Sequence, residues 1–291
     1  LGDVYKRQDG MTVGMSGFTR AGEAKAVPLA LVKRAHTNPL KITLITGASL
    51  GNDLDKQLTE AGVLARRLPF QVDNTLRKAI NNGEVMFIDQ HLSETVEQMR
   101  NLQLKKPDVA IIEAVAITED GGIIPTTSVG NSASFAIFAE KVIVEINTNL
   151  SPAFEGLHDI YIPTYRPTRQ PIPLTQVDER IGTHAINIDP AKIVGIVINN
   201  DLHDSPSTVT APDDETQGIA DHLIAFFEKE VAEERLPKNL GPLQAGIGSI
   251  ANAVLTGLKD SNFEDLVMYS EVLQDCTFEL IDAGKMKFAS G

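Results

Sequence analysis

Residues 108–117 read DVAIIEAVAI, and the reading of this run decides the fold. It is short, rich in Val and Ile, and apolar at odd and even positions alike. That is the pattern of a strand buried on both faces, as in a parallel sheet covered by helices. Runs of the same kind follow at 141–147 (KVIVEIN) and 192–199 (KIVGIVIN). Others precede it: MTVGMSGF (11–18) reads as a strand running into a loop, and KITLITGAS (41–49) as a strand that enters a Gly-rich turn. Helical stretches alternate with them. AVPLALVKRAH (26–36) carries Pro28 in its first turn, and DLDKQLTEAG (53–62) is stopped by Gly62. Strands alternating with helices predict an α/β fold with a mostly parallel sheet.

Length leaves room for more than one such unit, since 291 residues hold one large domain or two of ordinary size. The Pro-rich stretch between Leu150 and Pro173 reads as an ordered loop crossing the sheet. NNDLHDSPSTVTAPDDET (199–216) reads as a boundary, ahead of the helix TQGIADHLIAFFEKEVAEER. In that helix Ile219, Leu223, Ile224, Phe226 and Phe227 fall mainly on one stripe, and the charged EKEVAEER is a solvated face. LGDVYKRQ (1–8) has no initiator Met and no periodicity, and reads as a non-native scar. KMKFASG, at the other end, starts like a strand after a helix stop and then ends. The expected division is therefore a scar at 1–8, an N-terminal α/β domain at 9–205, and a second, truncated α/β domain at 206–291.

Charge narrows the partners. A net charge of −13 argues against nucleic acid, because binding the phosphate backbone needs a clustered positive surface. The single cysteine, Cys276, forbids an intramolecular disulfide and fits a reducing compartment. Six scattered histidines show no zinc-ligand spacing, so no metal is expected. No apolar run approaches membrane-spanning length, and there is no signal peptide, which predicts a cytoplasmic protein with no membrane partner.

Two stretches carry candidate chemistry. In LQAGIGSIANAVLTGL (243–258), Gly246 and Gly248 bracket Ile247 before a helical pattern. Glycines there let successive N–H groups converge on an anion, or merely permit a tight turn; both readings stand. The spacing is not that of a dinucleotide fingerprint, and no strand feeds the turn directly. In FEDLVMYSEVLQDCTFELIDAG (263–284), Glu271 falls at or just beyond the end of the apolar run Leu266–Met268. That edge is where open α/β sheets bind ligands, although a surface glutamate at a strand end fits equally. A helix follows, with Asp275 in its first turn and Gly284 as its stop.

A resemblance weighs these readings. DGMTVGMSGFTRAGEAKAVPLAL (9–31) resembles the opening glycine loop of the class I coenzyme A transferases. ITGAS, EAVAITEDGGIIPTTSVGNSASF, LQAGIGSIANAV and YSEVLQD together resemble the acetyl-CoA hydrolase/transferase subfamily, which includes succinyl-CoA:acetate CoA-transferases. The match runs in order over nearly all of 9–291. It implies two open CoA-transferase-type α/β domains, the second truncated, and a homodimer at full length. It also implies acyl-CoA and small carboxylates as substrates, with coenzyme A as substrate and no cofactor bound permanently. Glu271 becomes the catalytic nucleophile, and the backbone amide of Ile247 becomes half of an oxyanion hole flanked by Gly246 and Gly248. Thr19 and Ser49 become polar lining of the acyl or carboxylate pocket. Gly17, Gly22, Gly130 and Asn131 become loops that bound the cleft, with turn chemistry an equal reading for each. A carboxylate needs no separate base to attack a thioester, because it is ionised at neutral pH.

Departures qualify the resemblance. GEAK stands where the first loop carries Gly-x-Pro, and Val72 stands where the succinate-using enzymes carry threonine. Cys276 replaces a glycine and is expected to be a small buried residue. The later glycine loop of the family is missing, so this chain alone is expected to be inactive. Two rivals remain. GASLG (47–51) fits the G-x-S-x-G elbow of an α/β serine hydrolase with Ser49 as nucleophile. A non-catalytic CoA- or small-molecule-binding protein is the other.

Overall fold

The computed structural model describes residues 10–205 and 211–290. The segment 1–8, read as a scar, lies outside the described residues, as does 206–210 of the connector. Eleven strands and eight α-helices are described. The chain divides into two compact units, the first Leu1–Pro171 with Ile181–Ser205, the second Ile172–Arg180 with Pro206–Gly291. Ile172–Arg180 therefore counts with the second unit, whereas the sequence assigned all of 9–205 to the first.

In the first unit the strands are β1 (Thr12–Met15), β2 (Ile42–Thr46), β3 (Leu64–Leu68), β4 (Met86–Phe87), β5 (Val109–Ile117), β6 (Ile123–Pro125), β7 (Lys141–Asn147) and β8 (Ile193–Asn199). Their order is β4-β3-β2-β1-β5-β7-β8, all parallel, with β6 antiparallel on β5. From β1 the chain builds outward to β4, then crosses back to β5 and builds the other way. The order reverses between β1 and β5, and the crevice at the carboxyl ends there is where such sheets place ligands. Helices α1 (Ala26–Ala35), α2 (Leu54–Glu60), α3 (Asn74–Asn81), α4 (Leu92–Arg100) and α5 (Ser132–Phe138) belong to this unit.

The DVAIIEAVAI run shows why it carries no polar alternation. Val109 and Ile111 face one core layer, with Val27 and Leu31 of α1 and Leu54 and Leu58 of α2. Ala110 and Ile112 face the opposite layer, with Phe135 and Ala136 of α5 and Met99 of α4. Both faces are covered, so both must be apolar; each buried Val or Ile contributes roughly 1.5–3 kcal/mol. One charged pair is built into the edge of this core. Arg67 on β3 is fully buried, and its Nε meets Asp55 Oδ1 of α2 at 2.8 Å while Nη1 donates to Thr46 Oγ1 at 2.8 Å. The pair holds α2 against the end of β2, where the Ser49 loop begins.

The second unit has three parallel strands, β9 (Pro242–Leu243), β10 (Leu266–Tyr269) and β11 (Met286–Ser290), in the order β11-β10-β9. Helices α6 (Asp214–Ala232), α7 (Ser249–Asp260) and α8 (Asp275–Asp282) complete it. Asp213 starts α6 as a capping box with Thr216. Leu255, Leu258, Leu266, Met268 and Leu280 form the core, and Cys276 is buried among them. The expected stripe on α6 splits: Ile224, Phe227 and Val231 pack on this core, while Ile219 and Phe226 are exposed. Ala220, fully buried, starts the stripe that packs, since 220, 224, 227 and 231 recur every three or four residues. β9 corrects a second expectation, because a two-residue strand does feed the Gly246–Gly248 turn. Among the described residues no helix is long and apolar enough to cross a membrane.

Candidate active site

In the second unit, β9 and β10 run side by side in parallel, with Leu243 opposite Met268. Their continuations leave at the same edge of the sheet. One becomes Ala245–Gly248 and enters α7; the other becomes Ser270–Gln274 and enters α8. Two neutral side chains stitch these continuations together. Ser270 is buried; its hydroxyl lies 3.0 Å from the carbonyl oxygens of both Ala245 and Val272 and accepts from Ala245 N at 3.3 Å. Gln274 donates through Nε2 to Gly246 O at 2.9 Å and accepts from Gly248 N at 3.4 Å. Glu271 sits between the two stitches, on the same edge as the glycine turn, with its side chain exposed.

The turn itself is a backbone device. Gly248 has φ +123°, which a side chain would strain, and it caps α7 without any side-chain acceptor. Ile247 is 63% exposed, and its N–H has no acceptor among the described residues. A free amide beside the positive end of a twelve-residue helix faces the same solvent as the Glu271 carboxylate. Sequence reasoning singled out Glu271, Ile247 and the two glycines as candidates but did not mark Gln274. The only signal was its place one residue before α8, where a side chain can reach back.

In the first unit, Thr19, Ser49, Gly130 and Asn131 gather at the carboxyl end of the sheet. Arg20 N donates to Ser49 O at 3.1 Å, tying the loop after β1 to the loop after β2. Thr19 is half-buried and left-handed, with φ 48°. Gly47 has no room for a side chain, since a Cβ there would lie 2.5 Å from Gly17 O. A Cβ on Gly130 would lie 3.4 Å from Phe18 and 3.8 Å from Gly47 Cα, so the third loop reaches the same place. Asn131 precedes α5, and its buried Nδ2 has no partner among the described residues. Ser49 is buried and has no histidine or carboxylate within hydrogen-bond reach among the described residues.

Beneath these loops lies a buried charged cluster that sequence reasoning missed entirely. Lys25 Nζ meets Glu113 Oε1 at 2.6 Å, Asp204 Oδ1 at 2.6 Å and the Glu23 carbonyl at 2.7 Å. Glu113 also accepts from Thr126 Oγ1 at 2.7 Å and Asn147 Nδ2 at 2.9 Å. Glu145, opposite Glu113 on β7, accepts from the amides of Lys25, Ala26 and Val27 at 2.8, 2.9 and 3.0 Å. It therefore caps α1 from a distant strand, where its charge opposes the helix dipole. Burial pushes the Lys25 ammonium toward neutrality, but Glu113 and Asp204 outweigh it and hold its pKa above the ordinary value. Burial and then the nearby Asp204 push Glu23 up to about 7, against the pull of Lys25. The available signal was a glutamate in the middle of each of two apolar runs.

Comparison with known proteins places the chain. Residues 5–198 match the acetyl-CoA hydrolase/transferase N-terminal domain. A succinyl-CoA:acetate CoA-transferase of Clostridium kluyveri is 46% identical over 286 residues, covering 98% of this chain and 53% of that protein. An acetyl-CoA hydrolase of Schizosaccharomyces pombe is 45% identical over 293 residues, covering 97% of this chain and 56% of that protein. The chain thus spans about half the length of the curated relatives it matches. Among solved structures, RipA from Yersinia pestis superposes over 100% of this chain and 62% of its own, with a TM-score of 0.69 and 18% identity.

Proposed function

The chain belongs to the acetyl-CoA hydrolase/transferase family, and from that premise we propose that it is part of an enzyme that moves coenzyme A between an acyl-CoA and a free carboxylate. Glu271 is the nucleophile. Its carboxylate attacks the thioester carbonyl; the C–S bond breaks, giving an acyl-glutamyl anhydride and CoA thiolate. The thiolate attacks the glutamyl carbonyl, expels the acyl group as its carboxylate, and leaves an enzyme–CoA thioester. An acceptor carboxylate then runs both steps in reverse and departs as the new acyl-CoA, regenerating Glu271. Water in place of an acceptor would hydrolyse the anhydride, which gives acyl-CoA hydrolysis from the same group.

Each step passes through a tetrahedral oxyanion. The Ile247 amide, held with the turn by Ser270 and Gln274, is the donor for it, and one such donor is worth roughly 3 kcal/mol. The observation that carries this reading is the double stitch, which fastens the carboxylate's segment to a turn with a free amide at one sheet edge. Thr19, Ser49, Gly130 and Asn131 line the pocket for the acyl or carboxylate group. Neither hydrolase chemistry at Ser49 nor simple binding gains a specific observation.

The test traps the thioester. Protein of the relatives' full length is incubated with acetyl-CoA, succinyl-CoA or butyryl-CoA, reduced with borohydride and digested. The expected result is reduction of the Glu271 side chain to the alcohol, with loss of exchange activity, and no exchange by Glu271→Ala. Near wild-type exchange by Glu271→Ala would end the reading.

A further inference from the structure

Glu23 is wholly buried in the loop after β1, yet only one of its oxygens is satisfied. Oε1 accepts from Asn52 Nδ2 at 3.0 Å, while Oε2 has no partner among the described residues. The buried cation beside it, Lys25, is engaged elsewhere. Lys25 Nζ already lies 2.6 Å from both Glu113 Oε1 and Asp204 Oδ1 and donates to the Glu23 carbonyl. The position is a junction of three chain segments. A Cβ on Gly51 would lie 2.4 Å from Glu23 Oε1, 3.2 Å from Ser205 Oγ and 3.3 Å from the Arg20 side chain. Asn52 N donates to Ser205 Oγ at 2.7 Å, and Gly22 N to Asp204 Oδ2 at 3.2 Å.

We infer that Glu23 is a positioning residue: protonated, it holds the loop that carries Thr19 against the loop that carries Ser49, and its ionisation parts them. An ionised Glu23 would be a buried carboxylate with one donor, beside a second carboxylate at Asp204. Such a group is expelled toward water unless it is neutral. Moving it out withdraws the acceptor from the Asn52 side chain, leaving the left-handed Asn52 backbone, at φ 53°, held by Ser205 Oγ and Gln57 Nε2. The charged groups facing the junction are Arg20 and Lys25 on its own loop and Asp204 on the segment after β8. Asp53 and His203 flank it but are exposed, while Glu113 is engaged with Lys25 and Glu145 with the α1 amides. The rise of the Glu23 pKa to about 7, chiefly from burial, agrees with a proton retained far above the ordinary carboxylate range. What the switch does to substrate rests on the reading of Thr19 and Ser49 as pocket lining; the junction itself does not.

The experiment therefore measures the junction without turnover. Hydrogen exchange is followed on this chain from about pH 4.5 to about pH 8, in wild type and in Glu23→Gln at each pH. Glutamine keeps an acceptor for Asn52 and cannot ionise. Relative to that variant, wild-type amides of residues 47–53 should lose protection as pH rises from about 4.5 toward 7, approaching tenfold per pH unit, and level off above it. A ratio that stays flat across the window overturns the proposal. If Glu23→Gln does not fold, the carboxyl carbon of Glu23 is titrated in the wild type. A midpoint near 7 supports the proposal and one near 4.5 overturns it. Either outcome is independent of whether the transferase reading holds.

Discussion

The two units present the same feature, the carboxyl edge of a parallel sheet, and furnish it in opposite ways. At the edge of the second unit the Glu271 carboxylate stands in solvent, and its segment is fixed by an uncharged serine and glutamine. At the edge of the first unit Lys25, Glu23, Glu113 and Glu145 are all withdrawn from water. Their network locks three loops, and these four side chains are not exposed to solvent. The comparison separates two uses of charge. An exposed carboxylate keeps its nucleophilicity and contributes little to folding, whereas buried charges organise loops and make stability depend on each partner.

Removing the central cation should break the buried network most severely. Lys25→Met leaves Glu113 buried without its counter-charge and Asp204 without its ion pair, so a loss of about 3–5 kcal/mol is expected in urea unfolding. A loss under about 1 kcal/mol would mean that the network is not what holds the loops.

Titration of Glu23 comes next. Its folded pKa of about 7 lies above the ordinary 4.5, so its contribution is complete below pH 4.5 and is lost as pH rises to 7. The folded state binds the extra proton, and the total over that window is about 3 kcal/mol. Stability profiles of wild type and Glu23→Gln should diverge by that amount, with the wild type the one that declines. Parallel profiles would remove Glu23 from the network.

Smaller effects sharpen the other side. Gln274→Ala frees Gly246 O and Gly248 N to solvent and should cost about 1 kcal/mol, while lowering exchange activity in full-length protein by loosening the turn. Ile247→Val keeps the amide and should change neither property, whereas Ile247→Pro removes it and should slow turnover alone. Glu271→Gln should alter stability by less than about 0.5 kcal/mol, because the side chain is exposed. A Glu271 variant that unfolds the second unit would erase the contrast.

Composition and local pattern were enough for the architecture. Runs such as DVAIIEAVAI carry burial on both faces in their own composition, and the stops at Gly62 and Gly284 are local backbone facts. The Gly-Ile-Gly turn and Glu271 were legible for the same reason, since each lies at an element boundary that the sequence marks. The α6 stripe was legible only in part: periodicity says which residues share a face, and packing decides which of two neighbouring phenylalanines is covered. β9 escaped because two residues make no pattern. The charged cluster escaped because its members lie far apart in the chain. Lys25 meets Glu113 and Asp204 only once β1, β5 and β8 are laid in one sheet, and Glu145 caps a helix 119 residues away. Sequence alone determined where the longer strands, helices and stops fall, because those preferences are set within a few residues. Only the tertiary structure decided which charges lose their water and must find each other, because desolvation depends on neighbours brought from across the fold.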